Sequence, residues 1–560
     1  MLIECVPNFS EGRNLDVVKQ ITGSIESVDG VKLLNIDPGK ATNRTVVTFV
    51  GHPDAVVEAA FRAIRKAAEL IDMSKHQGEH PRMGATDVCP LIPISGISME
   101  ETAEYARKLA ERVGSELGIS VFLYEAAATS PQRRNLADIR AGEYEGMEKK
   151  LLMPEWKPDF GPSQLNKRTG VTAIGARDFL VAYNVNLNTT SVRRANSVAF
   201  DVREKGRVLR EGDPISGKIV TDENGEPVRI PGTCKSVKAI GWFIEEYGIA
   251  QISMNLTDIN VTPLHIAFDE CVKSAHNRGL RVTGSEIVGL VPKKVLIDAG
   301  KYFLEKQKLS HGVSEEQLIH IAVKSLGLDE LAPFDPKSRI IEYMLGDSDK
   351  RPLADLSLKA FAAETASESP APGGGSVAAY VGSLGAALGT MVANLSAHKR
   401  GYEDKFDYFV QYAVKGQDLK DRLLKLVDDD TAAFTAILDA VRMPKNTEAE
   451  KMIRKAAMDT ATRQAIEVPL QVMRVACEIF DVARAMVANG NPNSLSDAAV
   501  GSLCALAAVK GAHLNVLINC QDLLDYEFVA SVTTEANAIL EKSQLAASEI
   551  EKMALNSLKQ

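Results

Sequence analysis

What this 560-residue chain lacks narrows its reading before any motif does. It has no C-x-x-C pair, and its seven cysteines stand far apart at 5, 89, 234, 271, 477, 504 and 520. An odd, scattered set excludes a disulfide scaffold and a cysteine zinc cage, and leaves buried free thiols in a reducing compartment. It has no surplus of positive charge: the formal net charge is −9, which removes general nucleic-acid binding. Its opening "MLIECVPNFSEG" has no basic leader followed by an apolar run, so no secretion signal is expected and the chain reads as cytoplasmic. Pro370 to Ala397 carries no charge at all, and Gly385 and Gly389 form a G-x-x-x-G there. Length and motif fit a membrane span. Alanine, glycine and serine gain little on entering lipid, however, so a close-packed helix inside a bundle is expected, with no span.

What is present points to an α+β chain with an all-α end. The length exceeds one hydrophobic core, so three or more compact units are expected. "LIECVPNF" reads as a strand, Leu15–Ser24 as a helix, "VKLLNID" and "TVVTFVG" as strands, Pro53–Leu70 as a helix and "VCPLIPI" as a strand. That order, βαββαβ, is the ferredoxin-like split unit. It recurs through "FLVAYNVNL", Ser191–Glu204, "AQISMNLTDI", Pro263–Asn277 and "RVTGSEIVGLVP". The polar, turn-rich stretch around 212–232 reads as a surface hairpin insertion. Helices are expected at Lys294–Gln307 and Ser314–Leu326, a charged linker at Leu345–Pro352, and only helices from Leu353 onward. The expected domains are two ferredoxin-like α/β-sandwich subdomains at 1–179 and 180–344, a linker at 345–352, and an all-helical bundle at 353–560.

The densest chemistry lies in "KHQGEHPRMGATD", Lys75–Asp87. A helical H-x-x-x-H can bind zinc, but Gly78 and Pro81 interrupt any helix through His76 and His80, and no third ligand stands nearby. A surface loop holding histidines by chance is the bland alternative. Histidine titrates near neutrality, which suits moving a proton between two amines.

That stretch, with "CVPNFSEG", "TNRTVVTFVG", "PDFGPS" and "AIGARDFLVAYNVNL", resembles the formimidoyltransferase half of the formimidoyltransferase-cyclodeaminase family, bifunctional folate enzymes of histidine degradation. The resemblance implies that His80 is the transferase catalyst and His76 structural. It implies transfer of a formimidoyl group from N-formimidoyl-L-glutamate to N5 of tetrahydrofolate. Folate is then expected on Gly161, Pro162, Ser163, Gln164, Leu165, Asn166, Lys167, Arg168, Thr169 and Gly170. Glycine and serine there would admit a planar ring closely, and Lys167 and Arg168 would meet an acidic tail. Asp37 is a candidate to orient His80, and Arg44, Arg82 and Arg177 are candidates to hold substrate carboxylates.

In "DRLLKLVDDDTAAFTAILDAV" the default reading of Asp428, Asp429 and Asp430 is a solvated acidic face. At about 100° per residue, Leu423, Leu426, Val427, Phe434, Ile437 and Val441 form one stripe, with Asp430 in its middle. A carboxylate facing a core is costly unless paired or functional, so Asp430 is a site candidate. "SPAPGGGSVAAYVGSLGAALGTMV", "FTAILDAVRMPKN", "VPL" and "NVLIN" resemble the cyclodeaminase half of the same family. That resemblance implies that Asp430 is catalytic in closing 5-formimidoyltetrahydrofolate to 5,10-methenyltetrahydrofolate with release of ammonia. "PGGGS" reads as either an anion-binding helix start or tight packing with a cap, and "GNPNSLSD" as a polar break that lines the same pocket. Asn515 and Asn519 read as interhelical hydrogen-bonding residues.

The resemblance further implies polyglutamylated tetrahydrofolate as co-substrate, passed between the two sites along basic surface, no metal, and a homo-oligomer. Three other readings stay open: a transferase whose helical domain is an oligomerisation scaffold, a metal hydrolase on His76, Glu79 and His80, and a pure binding module.

Overall fold

The computed structural model describes residues 1–40, 42–78, 81–213, 216–345, 352–369, 371–521 and 523–559. The chain divides into two compact units. One comprises Met1–Val295 and Val323–Leu345, the other Leu296–Ala322 and Gly346–Gln560. The helices expected at 294–307 and 314–326 run Lys293–Lys306 and Glu315–Leu326. The segment joining them packs with the helical unit, where Gly312 carbonyl accepts from Asn394 at 2.8 Å and Ser310 N donates to His398 at 3.1 Å.

The first unit holds two sheets. In the larger, the strand expected over "LIECVPNF" is broken by Val6–Pro7 into Leu2–Cys5 and Asn8–Phe9, because proline offers the ladder no donor. Val31–Gly39, Arg44–Gly51, this broken strand and Thr86–Ser95 lie side by side, and two strands outside the repeat, Val171–Ala176 and Ser120–Glu125, extend the sheet in parallel. Pro53–Leu70 forms as the pattern dictates, with Pro53 opening it and Val56, Ala60, Phe61, Ile64 and Ala67 along its buried face. Met99–Leu117 is locked by a Ser98–Glu101 capping box. The second sheet is antiparallel in the order Val237–Ile244, Ile249–Leu256, Val181–Leu187, Val282–Val288, with helices Val192–Val202 and Leu264–His276 in the connections. Both sheets thus share the ferredoxin-like strand order. The insertion is a hairpin, with Arg207–Val208 paired to Arg229–Ile230.

The second unit is built on long helices: Gly374–Ala397, Phe406–Arg442, Glu448–Asn489, Leu495–Cys520 and Tyr526–Leu558. The uncharged helix Gly374–Ala397 uses its glycines as packing faces. Gly382 meets Leu423 and Ala508, Gly385 meets Gly501 and Cys504, and Gly389 meets Val482. Together with Pro492–Cys520 it is long and apolar enough to cross a membrane; 61% of its apolar window is buried within this unit.

Pro469 stands inside the 42-residue helix Glu448–Asn489. Its missing N–H orphans the Ala465 carbonyl one turn back. Asn519, from the helix Leu495–Cys520, donates Nδ2 to that same carbonyl at 2.7 Å. Asn519 is therefore the interhelical residue expected, whereas Asn515 donates to Gly511 of its own helix. Asn519→Leu should cost about 1–2 kcal/mol in urea unfolding, and much less in a Pro469→Ala background where residue 469 regains its own donor. Equal costs in both backgrounds would sever the link.

Candidate functional site

His80 and Glu79 lie outside the described residues, but both flanks of their loop are placed. On the near side His76 Nε2 faces the Asn43 carbonyl at 2.8 Å, and Arg82 Nε donates to His76 Nδ1 at 3.4 Å. Both ring nitrogens are thus engaged, as suits a structural histidine. Asn43 adopts a left-handed φ of 48° and spans the gap, its Oδ1 taking the Gly12 amide and its Nδ2 reaching the Gln77 carbonyl. On the far side Met83 N donates to Asp87 Oδ1 at 3.0 Å, and Arg140 clamps Asp87 Oδ2 at 2.6 Å. Asp87 is fully buried.

The arginines divide by role. Arg82 is spent on Glu143 at 3.2 Å and Glu145 at 2.6 Å, so it anchors the loop rather than waiting for a carboxylate. Arg44 is half-buried on the sheet face away from the main helices. Burial pulls its guanidinium down to about 10; Asp87 and Asp37 offset this, while Arg140 adds to it. Asp37 is exposed on Val31–Gly39.

The expected folate segment is hydrogen-bonded to the loop's exit. Ala85 N donates to the Thr169 carbonyl at 2.8 Å, and Val171 N to the Met83 carbonyl at 2.9 Å. Its end glycines do not wait open for a ring. A β-carbon at Gly161 would strike the Ile119 carbonyl, and one at Gly170 the Met83 carbonyl, so their freedom is spent on close backbone packing. Asn166 shapes the turn by accepting from Arg168 N and Thr169 N. Arg168 donates to the Glu69 carbonyl, and Lys167 sits 3.6 Å from Glu148 at the surface. Gly161, Pro162, Ser163, Gln164, Asn166, Lys167 and Arg168 are exposed, Leu165 is half-buried, and Thr169 and Gly170 are buried.

Sequence reasoning missed Glu4. Strand alternation sends Ile3 and Cys5 into the helix-side core and turns Glu4 to the opposite face, where it is nonetheless buried. Burial pushes its carboxyl up to about 7, against the pull of Arg177 and with the help of Glu342. It also missed a polar row on the second sheet. Trp242 donates to Gln251 at 3.1 Å and Gln251 to Asn186 at 2.8 Å, and the Asn186 Nδ2 donor is buried without a partner among the described residues. The period-two N-x-N of "YNVNL" was the available signal. A cavity of about 440 Å³ beside the insertion belongs to neither feature; its Asp201 is already held by Arg207, Arg278 and Ser274.

In the second unit Asp430 is half-buried on Phe406–Arg442 and faces the first turn of Gly374–Ala397. Its Oδ2 accepts from Ser376 Oγ at 2.9 Å. A β-carbon at Gly375 would collide with Oδ1, so only glycine admits the group. Burial pushes the acid up, and Ser376 pulls it partly back. The expected stripe holds only in part. Leu423, Leu426 and Val427 are buried, but Phe434 and Val441 are 39% and 45% exposed, and Ala433 and Ala440 take the inner positions. Small residues let the helices approach more closely than phenylalanine would. Asp429 pairs with Lys425 at 2.6 Å, and Asp428 accepts from Leu353 N at 2.9 Å. Asn515 stands over Gly374. Among the described residues no cluster of three or more metal-ligating side chains occurs.

Comparison with known proteins covers nearly the whole chain. A family profile described as formiminotransferase domain, N-terminal subdomain matches residues 2–177; formiminotransferase domain matches 182–346; and formiminotransferase-cyclodeaminase matches 357–538. The chain is 44% identical to the formimidoyltransferase-cyclodeaminase of Mus musculus over 98% of its own length and 97% of that protein's. It is 42% identical to the glutamate formimidoyltransferase of Streptococcus pyogenes serotype M1 over 55% of this chain and 95% of that one. It is 39% identical to the methenyltetrahydrofolate cyclohydrolase of Methylorubrum extorquens over 31% of this chain and 84% of that one.

Glu4 gives a stability signature with a definite sign. An acid raised in the folded state holds its proton more tightly there than in the unfolded chain. Its favourable contribution is therefore complete below pH 4.5 and is lost as pH climbs through about 7. The loss is on the order of 3 kcal/mol. Glu4→Gln should melt close to the wild type near pH 4.5 and progressively above it towards pH 8. A difference in melting temperature that stays flat across that range would refute the assignment.

Proposed function

The chain belongs to the formimidoyltransferase-cyclodeaminase family, and from that premise we propose that it performs both reactions of the family name in histidine degradation. The first moves the formimidoyl group from N-formimidoyl-L-glutamate to N5 of tetrahydrofolate, taken as its polyglutamylated form. The second closes 5-formimidoyltetrahydrofolate to 5,10-methenyltetrahydrofolate and ammonia. The observation that carries this reading is similarity along 98% of the chain to a protein bearing both activities in its name.

In the transfer, the glutamate nitrogen leaves only after gaining a proton, because an amide anion is a poor leaving group. His80 takes the proton from N5 and returns it to the departing amine. The pinned flanks of its loop, with the cationic side chains of Arg44 and Arg140 close to Asp87, support a site for an anionic substrate there. The segment 161–170, joined to the loop's exit, forms the folate side. In the ring closure N10 attacks the amidine carbon. Asp430, with its proton affinity raised by burial, accepts the N10 proton and passes it to the leaving ammonia. No metal enters either step.

We also propose a cytoplasmic homo-oligomer. The seven free cysteines suit a reducing compartment. Leu384, Met391 and Leu395 on one helix and Val500, Leu503, Leu514 and Ile518 on another are exposed on helices otherwise poor in charge, which suits burial against further copies rather than lipid.

His80→Ala should lower formimidoyl transfer by at least about a hundredfold and leave ammonia release from supplied 5-formimidoyltetrahydrofolate intact, while Asp430→Asn should do the reverse. Retained ammonia release in Asp430→Asn would reduce the helical unit to a scaffold. In sedimentation velocity, Leu503→Glu with Ile518→Glu should yield smaller species than the wild type; an unchanged distribution would discard the apolar faces as the interface.

A further inference from the structure

We propose that Ser376 and Thr431 are positioning residues that dedicate one oxygen of Asp430, Oδ1, to carrying the proton. This rests on the cyclodeaminase reading of Asp430 and adds residues to it. Ser376 is fully buried, and its hydroxyl donates to Asp430 Oδ2 at 2.9 Å. The oxygen of that hydroxyl lies 3.3 Å from Thr431 Oγ1. A serine hydroxyl has one hydrogen, and Ser376 spends it on the carboxylate. The Thr431 hydroxyl must therefore be the donor to Ser376. The chain runs in one direction: Thr431 to Ser376 to Asp430 Oδ2.

Two consequences follow for the acid. Hydrogen bonds in series polarise one another, so the Thr431 donor strengthens the Ser376 bond to the ionised carboxylate. Protonation on Oδ2 would oblige both hydroxyls to turn about and would leave the Ser376 hydrogen without its acceptor. Protonation on Oδ1 disturbs neither. Oδ1 lies against Gly375, whose missing β-carbon makes room for it, and accepts no side-chain hydrogen bond among the described residues. The proton taken from N10 of the substrate then sits on the same oxygen from which it is returned to the departing nitrogen. One O–H bond forms and the same bond breaks, with no net gain or loss by the enzyme. Thr431 is half-buried and follows Asp430 directly on Phe406–Arg442, so its substitution tests the chain without hollowing the core.

The experiment measures ammonia release from 5-formimidoyltetrahydrofolate by the full-length protein, with melting temperature followed for each variant. Thr431→Val removes the hydroxyl at constant shape and should lower kcat roughly tenfold with KM little changed, and Ser376→Ala should lower it roughly a hundredfold. Thr431→Ser, which keeps the hydroxyl, should restore kcat. Loss in Thr431→Val that Thr431→Ser does not rescue, or loss that follows melting temperature, would overturn the proposal. So would full kcat in Ser376→Ala while Asp430→Asn is inactive, a result that leaves the cyclodeaminase reading standing. Activity in Asp430→Asn itself would remove that reading, and the proposal with it.

Discussion

Each unit turns on a carboxylate drawn towards the interior and held there by a hydrogen-bond donor. Asp87 accepts from Met83 N and Asp430 from Ser376 Oγ. A charge in the interior is tolerated only where donors replace the lost hydration. In both places the donor residue adjoins a glycine, Gly84 and Gly375, that brings backbone nearer than any side chain would allow. The surrounding architecture follows from that need. Arg140 stands beside Asp87 and completes its hydrogen bonding, and the helix Gly374–Ala397, which has no side-chain cap of its own, meets the Asp430 carboxylate at its first turn.

The two seats differ in their electrical setting, and this fits the two proton transfers. Around Asp87 the charges are dense, with Arg140 paired to it and Arg44 drawn both to it and to Asp37. Such a place holds a loop still. Around Asp430 the influences are burial and one serine. A group governed by desolvation rather than by ion pairs exchanges its proton readily with a substrate nitrogen.

Much of this was legible in the sequence, for identifiable reasons. Pro53–Leu70 was recovered at its full length because proline marks its start and its apolar spacing is strict. Val237–Ile244 escaped because the residues it turns outward, Ile240, Trp242 and Phe243, are themselves apolar, which erases the alternation that signals a strand. Glu4 escaped for the converse reason: alternation assigned it to a solvent face that the fold covers. Asp430 was found through a stripe that is only half real. Helical phase placed it inward, but Phe434 and Val441 were counted as core by their size, and the close approach of neighbouring helices reserves those inner places for Ala433 and Ala440.

The segment Leu296–Ala322 lies in sequence between stretches of the first unit, yet packs in space with the second. The chain therefore enters the helical unit, leaves it, and returns. No single break in the polypeptide can part the two units whole: a cleavage near residue 346 leaves the helical fragment without the strand of chain that supplies Ser310 and Gly312 to His398 and Asn394. Interleaving of this kind ties the fate of one unit to the other, so that trimming by a protease, or division of the coding sequence at its obvious seam, strips a wall from the very half it was meant to release.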